Sequence, residues 1–273
     1  SLCTAFGTAG TGGFGIKSDS MAGYSTYLQV VITVFMILFG INFNAYFLLI
    51  TRKFAQAFKM EEVRYYLGII AIAVLIITCN IYHMYGSVSE SLQQAAFQVG
   101  SIITTTGYAT TDFNLWPEIS RTILVMLMFV GACAGSTGGG IKVSRILILC
   151  KTIRKELHIF LHPNAVKKIK MDGKVIPHEV LRSTNIFIIV YMLIFAGSIF
   201  LIAFDDFDLI TNFTAVTATF NNIGPGLELV GPTGNFGMFS WFSKIVLTFD
   251  MLAGRLEIFP LLLLFVRDTW KKF

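Results

Sequence analysis

The sequence has little charge. Only 14% of its 273 residues are Asp, Glu, Lys or Arg, whereas an ordinary soluble domain has roughly 25%. Hydrophobic residues make up 55%, and the mean hydropathy is +0.70. This composition excludes a water-soluble fold. A helix needs roughly 20 apolar residues to cross the bilayer core, and several apolar runs approach that length. The sequence therefore predicts a helical protein that crosses a membrane several times.

Cysteine is also scarce. The four residues Cys3, Cys79, Cys133 and Cys150 lie far apart in the sequence. Zinc sites and disulfide frameworks require cysteines at short or regular spacings. We therefore expect neither, and we interpret the cysteines as packing residues.

Apolar runs predict five membrane-crossing segments. They cover approximately residues 24–50, 65–85, 119–150, 184–204 and 239–266. Two stretches of moderate hydrophobicity, 89–103 and 208–221, are too short to cross, and we predict that both are re-entrant helices.

Basic residues set the orientation of these segments. Seventeen of the 21 Lys and Arg residues lie in 52–64, 142–182 and 267–272. The positive-inside rule places these three regions on the cytoplasmic side. The net charge of +5 then reflects loop topology, and no nucleic-acid partner is expected. In this orientation the chain repeats one unit, in which a span, a half-helix from outside, a glycine-containing return and a second span follow one another.

Three return segments occupy equivalent places in this repeat, and each has hydroxyl or amide residues directly before a glycine. Backbone at membrane depth must pair or line a water-filled cavity, so such segments favour carbonyl groups that face an ion path. The candidate ion-binding residues, acting mainly through main-chain carbonyls, are Gly10, Thr11, Gly12, Gly13, Thr104, Thr105, Thr106, Gly107, Asn221, Asn222, Ile223 and Gly224.

These segments resemble a known family. The sequence from Thr105 to Tyr108 is close to the T-V-G-Y signature of potassium-channel filters. The three returns, in order, resemble the second, third and fourth filters of the Trk/Ktr/HKT superfamily of potassium transporters, nearest to its bacterial TrkH/TrkG branch. The resemblance implies an all-α polytopic membrane protein with M1-P-M2 units (span, pore helix, span) around a pseudo-fourfold pore. It also implies K⁺ as the transported ion, no organic cofactor, no catalysed reaction and a place in the bacterial inner membrane.

The resemblance also divides the chain into units. Residues 1–60 correspond to the second half of pore unit 2, residues 61–178 to unit 3 and residues 179–273 to unit 4. The sequence opens without Met or a signal sequence, and we interpret it as the C-terminal part of a longer protein that does not conduct alone. The choice between K⁺ and Na⁺ stays open, because it depends on the first filter.

The third apolar run is interrupted at 131–140, which contains five glycines and no large side chain. Each glycine weakens a helix by about 1 kcal/mol relative to alanine. Close helix packing by small residues is one interpretation. The other is an unwound intramembrane loop, which the resemblance identifies as the gate. The candidate gate residues are Gly135, Ser136, Thr137, Gly138, Gly139, Gly140 and Arg255.

Arg255 lies near the middle of the last apolar run, where an arginine costs roughly 2.5 to 3.5 kcal/mol on insertion scales. It must therefore find acceptors or water. One possibility is a local pair with Asp250 or Glu257. The resemblance instead implies a position under the filter, where carbonyl groups of the gate loop accept its hydrogen bonds.

Two other functions also fit parts of the sequence. An alternating-access, cation-coupled secondary carrier also uses repeats and broken helices. An intramembrane serine protease would use Ser136 with His83. Two glycine patterns, at 10–15 and 135–140, resemble nucleotide-binding motifs, but the first follows no strand and the second has Ile141 in place of the required lysine.

The long basic loop at 151–182 has two interpretations. It can bind anionic lipid, with about 1 kcal/mol for each basic residue near the surface. The resemblance implies a docking surface for a cytosolic nucleotide-binding RCK-type regulatory subunit of the TrkA kind, together with homodimerisation.

Overall fold

The computed structural model describes residues 2–17, 19–165, 167–256, 258–264 and 266–270. Within these residues the chain is helical apart from short 3-10 turns, loops and one small hairpin. The helices are α1 (Leu2–Ala9), α2 (Thr26–Phe39), α3 (Phe43–Ile50), α4 (Phe54–Lys59), α5 (Glu61–Tyr85), α6 (Val88–Ile103), α7 (Glu118–Phe129), α8 (Val143–Leu161), α9 (His178–Ile202), α10 (Leu209–Phe220), α11 (Trp241–Leu256) and α12 (Ile258–Leu263). The antiparallel strands are β1 (Lys170–Met171) and β2 (Lys174–Val175).

Continuous membrane-crossing helices are fewer than the sequence predicts. Among the described residues, α5 and the helix over His178–Asp205 are long and apolar enough to cross alone. The run predicted as a span over 24–50 is bent, because α2 and α3 meet at 91°, and it forms either a broken span or a re-entrant turn. The Asn42 side chain caps the start of α3 by accepting a hydrogen bond from the Asn44 N–H group at 2.8 Å, which allows a new helix to begin there.

The other two predicted spans are also divided. Residues 119–150 form α7 and the first part of α8, with an irregular segment between them. Residues 239–266 form α11 and α12, and Glu257 between them lies outside the described residues.

The two stretches predicted to be re-entrant form the short helices α6 and α10. Each lies close to its predicted bounds, and the C-terminal half of each is enclosed by protein: residues 97–103 and 214–220 are all buried. Helix α6 packs between α5 and α2, and α10 packs between α9 and α11. Their C-terminal ends, which carry partial negative charge, therefore lie inside the protein.

Close packing of α11 against the end of α10 depends on Gly254. A Cβ atom at this position would overlap the main-chain oxygen of Phe220. Large aromatic side chains fill the surrounding core, in which the Tyr191 and Phe220 rings stack with centroids 4.5 Å apart. The packing fixes α11 beside the return that follows α10.

The hairpin β1–β2 lies within the basic loop and was not predicted. The Asp172 carboxylate accepts a hydrogen bond from the Glu61 N–H group at 2.7 Å. The Lys151 ammonium group donates to the Glu61 carboxylate and, at 2.7 Å, to the Lys170 carbonyl. These contacts fasten the hairpin to the start of α5.

Candidate functional site: three return loops and an interrupting loop

Three segments share one backbone conformation. We call residues 10–13, 104–107 and 221–224 the first, second and third return loops. The second and fourth residues of each loop have positive φ angles. These angles are +49° and +64° at Thr11 and Gly13, +57° and +82° at Thr105 and Gly107, and +57° and +107° at Asn222 and Gly224. The left-handed conformation suits glycine, which explains the glycine at the fourth place of every loop.

The same hydrogen bond closes each return loop onto the helix before it. The N–H group of the third loop residue donates to the carbonyl five residues earlier. These pairs are Gly12 with Gly7 at 2.9 Å, Thr106 with Ser101 at 2.9 Å, and Ile223 with Ala218 at 2.8 Å. The loops are therefore equivalent elements of the predicted repeat.

The return loops lie next to one another in matching register. A Cβ atom on Gly13 would overlap the Thr106 main-chain oxygen, and one on Gly107 would overlap the Ile223 main-chain oxygen. The first loop thus contacts the second as the second contacts the third. Tyr108, which is fully buried, strengthens the first of these junctions because its hydroxyl donates to the Phe14 carbonyl at 3.2 Å.

The segment 130–142 between α7 and α8 is an irregular loop, which we call the interrupting loop. Its two ends meet, because the Gly131 N–H group donates to the Ile141 carbonyl at 2.8 Å. This structure confirms an unwound segment and contradicts the alternative of a glycine-rich helix. All of the predicted residues from Gly135 to Gly140 lie in this loop.

The interrupting loop lies directly against the start of two return loops. A Cβ atom on Gly138 would be 3.1 Å from the Thr104 main-chain oxygen, and one on Gly139 would be 2.8 Å from that of Asn221. The Thr105 hydroxyl accepts a hydrogen bond from the Gly139 N–H group at 2.6 Å. Glycine is required here, because larger residues would push the loop away.

Arg255 links the interrupting loop to the remaining return loop. Its Nη1 donates to the Thr137 carbonyl at 3.1 Å, and its Nη2 lies 3.4 Å from the Gly10 carbonyl oxygen. The Thr11 hydroxyl donates to the same Thr137 carbonyl at 2.9 Å. The first carbonyls of all three return loops, those of Gly10, Thr104 and Asn221, therefore converge on the interrupting loop and Arg255.

The suggested local pair between Arg255 and Asp250 is wrong. Asp250 is fully buried and accepts a hydrogen bond from the Ser198 hydroxyl at 2.7 Å, while Arg255 bonds to the two carbonyls. The other suggested partner, Glu257, lies outside the described residues. Carbonyl groups can accept hydrogen bonds from the arginine because the unwound backbone beside it has carbonyls that are not used in helical hydrogen bonds.

Two cavities adjoin these loops. One of about 400 Å³ lies between the interrupting loop, Arg255 and the end of α10. A larger one, of about 1100 Å³, lies between the first and third return loops. Arg255 lines both. Among the described residues, no group of three or more His, Cys, Asp or Glu side chains is placed to hold a metal ion.

The serine protease alternative is contradicted by distance. Ser136 lies on the interrupting loop, which contacts α5 at Glu62, and His83 lies 21 residues further along the same helix. At 1.5 Å per residue these positions are about 30 Å apart, so no catalytic pair forms. The Ser136 hydroxyl instead donates to the Cys133 carbonyl at 2.6 Å.

The residues that hold the interrupting loop are not among the predicted site residues. Glu62 and the break between α2 and α3 both contact it, although they lie far away in the sequence. Glu62 is an acidic residue just before the span predicted at 65–85. Its charge at that position was the available signal, but the region 52–64 was considered only for its basic residues.

The fold and these loops define a class: an α-helical membrane protein built from repeated units of a span, a half-helix and a second span, as in potassium-channel-like pores. The family model TrkH, described as a cation transport protein, matches residues 1–272. The chain belongs to this family. The predicted all-α membrane fold and the resemblance are therefore confirmed.

Individual relatives agree with this assignment. The Trk system potassium uptake protein TrkH of Escherichia coli (strain K12) is 36% identical over 272 residues, which cover 98% of this chain and 56% of that protein. TrkG of the same strain is 32% identical, over 99% of this chain and 56% of that protein. The crystal structure of the potassium transporter TrkH from Vibrio parahaemolyticus superposes with a TM-score of 0.87 at 35% identity, over 98% of this chain and 58% of that one. The chain spans about half the length of the curated relatives that it matches.

Proposed function

We propose that this chain forms the greater part of a potassium uptake pore in the bacterial inner membrane. One observation carries the proposal: equivalent carbonyls of three equivalent loops converge on one small region. A cation that leaves water loses a large hydration energy, and closely spaced carbonyl oxygens replace its hydration shell. The names of the relatives, Trk system potassium uptake proteins, support K⁺ as the ion.

The proposed pore units are residues 1–60, 61–178 and 179–273. The return loops act as filters 2, 3 and 4, and a fourth loop belongs between the third and the first, at the cavity of about 1100 Å³. The half-helices α6 and α10 direct their partially negative C-terminal ends at the ion. The pore moves an ion and catalyses no covalent step.

The interrupting loop is the proposed gate. It lies across the first carbonyls of the return loops, and the Arg255 guanidinium group adds a positive charge at the same place. A cation leaving the filter on this side would meet both an obstacle and electrostatic repulsion. Opening therefore requires the interrupting loop and Arg255 to move aside.

The proposed partners are those implied by the family resemblance. A cytosolic nucleotide-binding RCK-type subunit of the TrkA kind docks on the basic loop, two copies of the membrane subunit associate, and anionic lipid neutralises the remaining basic residues. In this scheme the hairpin β1–β2 carries a movement of the basic loop to the start of α5.

Uptake of radiolabelled rubidium tests the proposal. The complete transporter that contains this chain is expressed in a host deficient in potassium uptake, with and without the cytosolic subunit. We expect uptake that depends on the transporter and is displaced better by K⁺ than by Na⁺. Normal membrane insertion without uptake would contradict the proposal. In planar bilayers, unitary current steps support a pore, and strictly ion-coupled, saturable flux without such steps supports the carrier alternative.

A further inference from the structure

A buried carboxylate, Glu62, lies beside the interrupting loop, and the proposed pore and gate assign it no role. It is in the first turn of α5 and is only 3% exposed. Its Oε1 accepts hydrogen bonds from the Ala134 N–H group at 2.6 Å and from the Ser144 N–H group at 3.1 Å. Its Oε2 lies 3.4 Å from the Asn42 side-chain amide nitrogen, which donates to it. One side chain thus joins three separate elements.

The positions of these donors are significant. Ala134 lies near the start of the interrupting loop, and Ser144 lies in the first turn of α8, just after the loop ends. Glu62 therefore holds both ends of the loop. Hydrogen bonds to an ionised carboxylate are roughly twice as strong as bonds between neutral groups, and the N-terminus of α8 adds favourable partial positive charge.

The third donor ties the loop to the break between α2 and α3. At this break the Cys133 N–H group donates to the Gly40 carbonyl at 3.0 Å, and the Phe43 N–H group donates to the Gly135 carbonyl at 3.0 Å. Backbone groups freed by the end of α2 and the start of α3 are thus satisfied by the interrupting loop. The loop and the break form one hydrogen-bonded assembly.

We propose that Glu62 is a positioning residue for the gate, and that it holds the interrupting loop closed by fastening both loop ends to the α2/α3 break. The inference rests on the function proposed above. Because α3 and α8 both leave this assembly, a displacement of either helix pulls on the bonds to Glu62. Glu62 therefore couples movement of α3 and α8 to release of the loop, while Arg255 holds the opposite side of the loop.

Thiol accessibility in the interrupting loop tests this role directly. Ser136 is half-buried and lines the cavity of about 400 Å³, so the reaction of a Ser136→Cys residue with a methanethiosulfonate reagent reports how often the loop opens. The exposed Cys3, Cys79 and Cys150 are replaced by Ser in the background, and the buried Cys133 is kept. Modification rates are measured on the complete transporter without its cytosolic subunit.

Three variants are compared in this background. Glu62→Ala removes all three bonds, and we expect the rate to rise about tenfold, the equivalent of one lost charge-assisted bond. Glu62→Gln retains an oxygen for Ala134 and Ser144, and we expect a rise of about threefold. Glu90→Gln is the matched control, because Glu90 is an exposed carboxylate in the first turn of α6, away from the interrupting loop, α3 and α8, and its rate stays unchanged.

The outcomes separate the two proposals. A folded Glu62→Gln variant with the control's modification rate would overturn the positioning role, and this variant decides the matter if Glu62→Ala fails to fold. The role also predicts that rubidium uptake without the cytosolic subunit rises relative to uptake with it, whereas a merely structural residue would lower both together. If the parent transporter takes up no rubidium, the pore proposal fails, while the thiol rates still decide whether Glu62 restrains the loop.

Discussion

The return loops and the interrupting loop are both irregular backbone surrounded by helices, but they are held in different ways. Each return loop bonds to its own preceding helix, with the same pattern three times. The interrupting loop bonds to residues from five distant parts of the chain: Thr11, the α2/α3 break, Glu62, Thr105 and Arg255. A loop held by its own helix moves only if that helix unwinds. A loop held by distant groups moves when those contacts are exchanged, which suits a gate.

The largest expected effect concerns the return loops, which are held by their own helices. Gly107→Ala places a Cβ atom onto the Ile223 main-chain oxygen, at a φ of +82° that alanine rarely adopts. We expect rubidium uptake to fall below about a tenth of the parent value, because a displaced second return loop no longer presents its carbonyl oxygens in place of the hydration shell of the ion.

The matched control is Gly68→Ala on α5, where an added Cβ atom meets nothing within 4 Å. Its uptake stays at the parent level. Uptake by a folded Gly107→Ala transporter equal to that of Gly68→Ala would show that the second return loop is not part of the ion path.

The next largest effect concerns the interrupting loop, which is held by distant groups. Arg255→Ala removes the hydrogen bonds to Thr137 and Gly10 together with the positive charge below the return loops. We expect uptake without the cytosolic subunit to rise severalfold, and Arg255→Lys, which keeps the charge, to show a smaller rise. Arg64→Ala, an exposed basic residue on α5, serves as the control. Unchanged or lower uptake with normal expression would count against the gating role.

A smaller effect is expected where the two kinds of loop touch. Thr105→Val removes the acceptor of the Gly139 N–H group, while Thr105→Ser keeps it. A buried donor without a partner costs about 1 to 3 kcal/mol, and the closed position of the interrupting loop bears that cost. The valine variant should therefore show raised resting uptake, and the serine variant should match the parent. Equal uptake by both variants would mean that this bond does not restrain the loop.

The smallest effect concerns a local cap far from the gate. The Asp208 carboxylate caps α10 by accepting hydrogen bonds from the Ile210 and Thr211 N–H groups, both at 3.1 Å. Asp208→Ala should lower the free energy of unfolding by about 0.5 to 2 kcal/mol, measured by thermal melting in nanodiscs. Resting uptake relative to activated uptake should not change, because the interrupting loop is not involved.

This cap has a defined pH dependence. The Thr211 hydroxyl beside the carboxylate and the capped N–H groups lower the pKa of Asp208 below its ordinary value. The cap stabilises the protein fully when the pH is above the pKa of an aspartate in the unfolded chain, about 3.9. This stabilisation is lost as the pH falls through the lower pKa that Asp208 has in the folded protein. The difference in melting temperature between the parent and Asp208→Ala should thus be present at pH 7 and shrink at pH 3. A constant difference would mean that the charge does not contribute.

Features with local causes were predicted from the sequence. The half-helix predicted at 208–221 is α10, and that predicted at 89–103 is α6, since hydrophobicity and length are properties of each segment alone. The unwound segment was also predicted, because consecutive small residues weaken a helix wherever they stand. The bend between α2 and α3 was not predicted, because it lies inside a run that is apolar throughout. The backbone groups that the bend frees form hydrogen bonds with distant backbone groups near residue 133.

The sequence by itself determined the membrane class, the repeat, the glycine positions of the return loops and the family, because each depends on composition or on residues close together in the chain. Only the tertiary structure decided which groups meet around the interrupting loop: that Arg255 bonds to carbonyls and not to Asp250, and that Glu62 holds the loop to the α2/α3 break. The physical reason is that a backbone group outside a regular helix forms a hydrogen bond with whichever suitable group the packing of distant helices brings near it. No local sequence pattern specifies that partner.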